Sequence, residues 1–371
     1  MKILQVSKLY PPYMGGIETV VYDITTELKN FHKQVDVLSF SEDSTSKIEE
    51  YDGSTIFRCS SLLKVASTYL SLSYIYRWMI IRNNYDLIHI HVPNPIALLA
   101  MYLFPTNAKV VIHWHSDIVK QKKLKILFNF IQKSCLIKAH SIVTTSELYA
   151  KESQDLKPFI DKVTVIPIGI DKDKLVVNDI LYNELSNKFN NKKIIFSLGR
   201  HVYYKGFEYL IEASKNLPDN YVVLIGGGGP LTATYKEMIK KYALENKVFL
   251  IGRVSDNDLG TYYQISSVFC LPSVDKSEAF GVVQLEAMSF GTPIVSCNIK
   301  GSGVPWVNSF STGIVCEPKD AKMLAKAIFD VTNSNLFTRD SIKDVFTNKF
   351  TKESMSHLIN KLYISLCDKK L

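Results

Sequence analysis

Short apolar runs of strand length alternate with amphipathic stretches along most of the chain. Lys2 to Val6 reads as a strand, a loop with Pro11, Pro12, Gly15 and Gly16 follows, Ile17 to Lys29 has the spacing of an amphipathic helix, and Gln34 to Phe40 reads as a second strand. Asp86 to Val92, Lys109 to His113 and Ser141 to Thr145 continue the alternation, and Val163 to Asp171 closes it with a strand and a turn. A second series runs through Lys193 to Leu198, Tyr221 to Ile225, Val248 to Ile251, Val268 to Leu271 and Pro293 to Ser296. Between the two series, Asp171 to Lys193 is polar and rich in Asn and Lys, and reads as an interdomain linker. Strands that alternate with helices predict parallel, doubly wound sheets. The expected architecture is α/β, with two Rossmann-like domains at residues 1–172 and 190–349. In such sheets ligands sit beyond the carboxyl ends of the strands, which for two domains facing each other is the cleft.

A length of 371 residues suits two domains, each with its own core. A hydrophobic content of 46% and a charged content of 22% are those of a soluble globular protein. The longest apolar stretch, Leu87 to Phe104, holds His89, His91, Pro93, Asn94 and Pro95, and Leu62 to Ile81 is interrupted by Lys64, Arg77 and serines. Neither suits a membrane-spanning helix. The apolar run at Ile3 to Val6 is too short for a signal-peptide core. A cytosolic protein is expected. Six scattered cysteines without metal-ligand spacing agree with a reducing compartment.

The net charge of +8 is unevenly placed. Val119 to Lys138 holds six lysines, Lys120, Lys122, Lys123 and Lys125 among them, and no acid, interleaved with Leu124, Ile126, Leu127, Phe128, Phe130 and Ile131. That is the pattern of a helix lying on anionic lipid. It is equally the pattern of a domain helix with a solvated lysine edge. A nucleic-acid role lacks any accompanying motif.

The chemistry concentrates in the second half. Glu278 and Glu286 stand eight residues apart, with Gly281 to Phe290 reading as a short helix stopped by Gly291 and Pro293. A helix N-terminus gathers unpaired N–H groups and suits a phosphate. Glu278, in the loop before it, could accept from sugar hydroxyls, and Glu286 from a ribose. Gly199-Arg200 and Lys205-Gly206 follow the first strand of the second series and precede a helix over Phe207 to Ala213; two cations there suit a diphosphate. Gly226 to Gly229 end the next strand and let the backbone approach a ligand, without forming a dinucleotide fingerprint. Asp256 and Asp258 mimic an Asp-x-Asp metal signature, but Ser255 and Asp258 read better as a helix cap. His113 and His115 end one strand and His89 and His91 another; a four-histidine metal site would lack any supporting carboxylate or cysteine.

The segment SEAFGVVQLEAMSFGTPIV, with its Glu-x7-Glu, resembles the donor-site signature of family 4 glycosyltransferases, retaining enzymes of the GT-B fold. The Gly-Arg and Lys-Gly pairs, the glycine turn at Gly228 and the Gly15-Gly16 loop resemble further family motifs, so the likeness covers nearly the whole chain. It implies a hexosyltransferase that uses a nucleoside-diphosphate sugar as substrate, with no metal or other cofactor. Gly15, Gly16, Arg200 and Lys205 would hold the donor diphosphate; Glu278, Phe280, Gly281, Val282, Glu286 and Gly228 the nucleotide and sugar; His115, with Glu278, would stand at the reacting face. The first domain would serve the acceptor and the second the donor, with a last helix at about 350–371 packing back on the first. The loop at Gly301 to Asn308 resembles those of bacterial O-antigen and capsule mannosyl- and rhamnosyltransferases, which places a GDP-sugar such as GDP-mannose ahead of a UDP-sugar. The acceptor would be a growing glycan, lipid-linked if the basic helix binds the inner face of the plasma membrane. The alternatives are an epimerase of the same fold and a non-catalytic sugar-nucleotide-binding protein.

Overall fold

The computed structural model describes residues 1–13, 15–65, 68–116 and 122–368, with the side chains of residues 65 and 122–127 left aside. The chain forms two compact units, residues 1–169 with 352–371, and residues 170–351.

The first unit is built on an eight-stranded sheet in the order Val163–Val165, Ser141–Thr144, Lys109–Trp114, Leu87–Val92, Lys2–Val6, Gln34–Phe40, Ser54–Cys59 and Lys47–Tyr51. All neighbours are parallel except the last pair. Strand periodicity of two divides the central strands by face. Leu4, Val6, Ile88, Ile90, Val92, Val110, Ile112 and Trp114 enter one apolar core. Gln5, His89, His91 and His113 alternate with them and are also buried, with His115 just beyond the strand end. This polar face is covered by the last helix, Lys352–Cys367, which buries Met355, Ile359 and Tyr363 at helical spacing. The helix also packs on Gly16–Leu28, with Lys352 paired to Glu27 at 3.4 Å and His32 bonded to Asn360 at 2.9 Å. The long apolar stretch of the sequence is thus a strand, Leu87–Val92, and a helix, Pro95–Leu103, separated by Asn94, whose side chain accepts from the N–H of Ala97. The strands at Lys47–Tyr51 and Ser54–Cys59 and the small hairpin Leu63–Val65 with Thr68–Leu70 were not readable from patterning. The edge strand Lys47–Tyr51 is largely exposed and carries little apolar alternation.

The second unit has six parallel strands in the order Val248–Gly252, Tyr221–Gly226, Lys193–Leu198, Val268–Leu271, Ile294–Cys297 and Gly313–Cys316. From Lys193–Leu198 the chain works outward to one edge, and from Val268–Leu271 to the other. The carboxyl ends of these two neighbours therefore form the topological switch point.

The expected linker at 171–193 is instead part of this unit. Helix Asp179–Lys188 packs against Asp256–Ile265. Asn178 holds the join: its side-chain oxygen accepts from the N–H groups of Ile180 and Leu181, its amide donates to Asp258 at 2.9 Å, and its backbone N–H donates to the Thr261 hydroxyl at 2.7 Å. Polar composition marked the outer face of a helix rather than a free connection. Asn178→Ala should lower the unfolding free energy by about 1–2 kcal/mol in denaturant titration, because it removes a cap and leaves Asp258 with fewer donors. A change near zero would restore the linker reading.

Candidate active site

In the second unit the switch point brings two loops together. Ser197 donates to the carbonyl of Cys270 at 2.6 Å, just below the strand ends, and the N–H of Val274 donates to the carbonyl of Tyr204 at 2.8 Å. Gly206 sits between them at φ 65°, where an added Cβ would lie 2.2 Å from the Pro272 carbonyl oxygen. Only glycine lets the loops close to this distance. The result is a nearly buried ion pair, Lys205 Nζ to Glu278 Oε2 at 2.6 Å. Ser273 donates to the same oxygen at 3.0 Å. Among the described residues Glu278 Oε1 carries no bond, and Arg200, exposed at the strand end, makes no ion pair or side-chain hydrogen bond.

Helix Val283–Ser289 is shorter than expected, and Val282 stands before it as the cap. Glu286 accepts from the Tyr263 hydroxyl at 2.6 Å. Desolvation raises its carboxyl above the ordinary range, against the Tyr263 bond and the charge of Lys205. Phe280 is a core residue, its ring packed near Trp306 with centroids 6.4 Å apart, so only its backbone is available to a ligand. Ser302 donates to the carbonyl of Glu278, and the N–H of Gly303 donates to Ala279 at 2.7 Å. The Gly301 to Asn308 loop therefore buttresses the Glu278 loop from behind. Tyr263 and Ser302 carry no local sequence signal for these roles and come to the site only through the fold, whereas Ser273 lies five residues before Glu278 in the same loop.

Of the four glycines from Gly226 to Gly229, Gly227 is the most tightly constrained. It sits at φ 112°, and a Cβ there would lie 1.9 Å from the Gly199 carbonyl oxygen, whereas a Cβ at Gly228 would meet open space. Gly228 was the expected contact; its backbone carbonyl accepts from the N–H of His201. Asp258 is held by Ser255, whose hydroxyl donates to it at 2.7 Å, and by Asn178. Ser255 does occupy the N-cap position of Asp256–Ile265, but caps through Asp258 rather than through a backbone N–H.

The first unit holds the other expected residues. Gly15 precedes helix Gly16–Leu28 in extended conformation, and a Cβ at Gly16 would meet nothing. His115 joins His89, His91 and His113 in a column of imidazoles. His113 and His115 stack at 4.0 Å and 15°, His89 and His91 at 4.4 Å and 30°. Burial pushes His89 and His115 down to about 3, and His91 and His113 well below the usual imidazole range, with neighbouring imidazoles adding to the effect in all but His115. His113 has no hydrogen-bond partner on either nitrogen among the described residues. His89, His91 and His113 each place a nitrogen within 4.8 Å of the others, close enough to consider a metal ion. Their rings lie largely face to face, however, so in-plane lone pairs do not converge, and both nitrogens of His91 are already bonded. Lys120 lies outside the described residues, as do the side chains of Lys122, Lys123 and Lys125, whose backbone is helical.

Two family models cover the chain: Glycosyltransferase Family 4 matches residues 14–174, and Glycosyl transferases group 1 matches residues 182–344. The O-antigen chain mannosyltransferase C of Escherichia coli is 32% identical over 376 residues, covering 100% of both chains. The chain belongs to the family 4 glycosyltransferases. This glycosyltransferase is also 30% identical over 330 residues to the D-rhamnosyltransferase WbpZ of Pseudomonas aeruginosa, covering 88% of this chain and 86% of that one. The Anabaena HepE protein, solved with UDP, superposes with a TM-score of 0.76 at 19% identity over 98% of this chain and 100% of that one, which gives this glycosyltransferase the GT-B fold. It is a hexosyltransferase by these relatives, and they do not favour the epimerase alternative.

The imidazole column gives the glycosyltransferase an acid-sensitive first unit. Each depressed native pKa lies below the unfolded value of about 6.5, so the unfolded chain binds more protons as the pH falls. Stability from keeping these imidazoles neutral is full above about pH 6.5 and drains away as pH falls toward the native value of about 3. Urea titrations followed by Trp78 and Trp114 in a Trp306→Phe background should show a lower midpoint at pH 5 than at pH 7.5. His113→Leu should reduce that difference; an undiminished one would place its origin outside the column.

Proposed function

We propose that this glycosyltransferase moves a hexose from a nucleoside-diphosphate sugar to a hydroxyl of a growing, lipid-linked bacterial surface glycan, with retention at the anomeric carbon and with no metal ion. A GDP-sugar such as GDP-mannose is favoured over a UDP-sugar. The observation that carries the reading is the Lys205–Glu278 pair at the switch point, with Arg200 open beside it and Glu286 on the helix that follows. The name of the E. coli relative, an O-antigen chain mannosyltransferase, supports the surface-glycan acceptor and the mannose-type donor.

Lys205 and Glu278 neutralise each other, so neither charge is left alone in a nearly buried place, where it would cost about 3–5 kcal/mol. An incoming diphosphate shares Lys205 and engages the unpaired Arg200. Glu278 Oε1 accepts from hydroxyls of the donor sugar, and Glu286 accepts from the ribose. As the bond between the anomeric carbon and the diphosphate breaks, charge grows on the leaving oxygen, and the two cations stabilise it. The acceptor oxygen bonds to the anomeric carbon on the same face, and its proton passes to the departing diphosphate. Glu278, tied to Lys205 and Ser273, is a binding carboxylate in this scheme and forms no covalent bond to the sugar.

A thermal-shift series with GDP, UDP and ADP tests the donor site. GDP should raise the melting temperature most, since a ligand at a hundredfold excess over Kd stabilises by about 2.7 kcal/mol. Arg200→Ala and Glu286→Ala should each remove the shift. No shift with any nucleotide in the parent protein would sink the donor reading.

Lipid binding is supported by the surface of the first unit. No described helix is long and apolar enough to cross a membrane. Helix Lys122–Lys138 buries Cys135 and Leu136 and exposes Phe130, Lys133, Ile137 and Lys138, so it is a domain helix with an apolar and basic outer edge. It packs on Pro95–Leu103, which in turn packs on Leu72–Ile81, and these expose Leu103, Leu72 and Tyr76. Replacing Lys120, Lys122, Lys123 and Lys125 with Glu should abolish sedimentation with anionic vesicles. Unchanged co-sedimentation would remove the membrane from the proposal.

A further inference from the structure

The imidazole column contains a continuous hydrogen-bond chain that ends at His115. Tyr363, on the last helix, lies 2.6 Å from His89 Nδ1. The amide nitrogen of Gln5 lies 3.2 Å from the same hydroxyl. The amide oxygen of Gln5 lies 2.9 Å from His91 Nε2, and His91 Nδ1 lies 3.0 Å from His115 Nε2. Burial keeps the phenol protonated and all the imidazoles neutral, so each ring carries one N–H.

The sense of the chain follows from its short end. A separation of 2.6 Å is short for an N–H donor, whose usual range begins near 2.7 Å, and fits an O–H donor. Tyr363 therefore donates to His89. Its oxygen must then accept from Gln5, which turns the amide NH2 toward Tyr363 and the carbonyl toward His91. His91 then carries its proton on Nε2 and offers Nδ1 as acceptor. His115 must donate to it from Nε2, and its own lone pair is left on Nδ1. His115 is the most exposed of the four rings, at 6%, against 2% or less for the others.

We infer that Tyr363, Gln5 and His91 are positioning residues that fix the tautomer of His115, so that it meets a substrate hydroxyl as a hydrogen-bond acceptor through Nδ1 and not as a donor. The inference rests on the proposed transfer reaction and on the place at the reacting face that the family resemblance implies for His115. It adds which nitrogen faces the substrate and which distant side chains decide it. Two of those side chains come from opposite ends of the chain, Gln5 and Tyr363.

Full-length protein labelled with 15N-histidine tests the assignment by two-bond 1H–15N correlation spectra, with the His115 signals identified by their loss in His115→Gln. The parent protein should show His115 protonated on Nε2. Gln5→Leu, which removes the acceptor of His91, should move the His115 signals toward the other tautomer, and Tyr363→Phe should do so partially. In transfer assays kcat of Gln5→Leu should fall about tenfold or more, while KM for the donor stays within twofold and the melting temperature stays above the assay temperature. A His115 proton on Nδ1 in the parent protein overturns the inference, as does a tautomer that ignores both variants. A tautomer that responds while kcat does not would show the chain to be purely structural and overturn the positioning role. If the parent protein transfers no sugar at all, the functional reading fails instead, and the spectra alone still decide the tautomer. Should Gln5→Leu fail to fold, Tyr363→Phe, which removes a single oxygen, carries both measurements.

Discussion

Parallel strands must all end on the same side of their sheet, and that constraint organises both halves of this molecule. At the switch point of the second unit, two neighbouring strands send the chain toward opposite edges, which is where open α/β sheets leave a crevice for ligands, and the loops that follow the two strands touch there. The backbone bond from Val274 to Tyr204, a glycine at Gly206 too tight for any Cβ, and the Lys205–Glu278 pair hold those two loops together. The ion pair thus depends on topology: the winding of the sheet makes neighbours of two strands far apart in sequence, and the loops after them carry its two partners.

The legible parts of the fold were those where burial imposes a period. The central strands announced themselves because both faces are covered, and the helix Phe207–Ala213 because a glycine precedes it and an amphipathic turn follows. Glu278, Glu286, Arg200 and Lys205 were legible because each sits beside a strand end or helix start that local pattern predicts. Edge strands such as Lys47–Tyr51 were not, since solvent on their outer side releases the sequence from alternation. Asp171 to Lys193 misled for the opposite reason: a helix docked along one narrow stripe, with Leu185 as its buried residue, has a mostly polar composition.

The supporting side chains of the site form a third category. Tyr263 and Ser302 reach Glu286 and Glu278 across the tertiary structure, and nothing near them in sequence says so, while Ser273 reaches Glu278 within one loop whose shape the pattern does not show. The histidines fall between. Their His-x-His spacing placed each pair on one face of a strand, but only the register of His91 against His113 shows that the two pairs form one column. A column of neutral imidazoles in a sheet is an expensive choice where valines would pack as well. Burial there depresses every one of their pKa values, and His113 gains no hydrogen bond in return. The cost is concentrated on the face that the last helix covers.

That helix belongs to the first unit although 182 residues of the second, 170–351, separate it from the rest. Ile170 and Thr351 lie side by side as a parallel bridge, so the second unit begins and ends at one place. In topological terms the second unit has the form of an insertion into the first. In biosynthetic terms the order of completion is inverted. The ribosome releases every strand and helix of the second unit before it supplies the helix that closes the first. The buried polar face of the amino-terminal half, Gln5 and the histidines included, therefore stays uncovered until Lys352–Cys367 has been made. A chain stalled or clipped before residue 352 would present a whole second unit attached to an unfinished first one, with its imidazoles and the flank of Gly16–Leu28 left open to solvent.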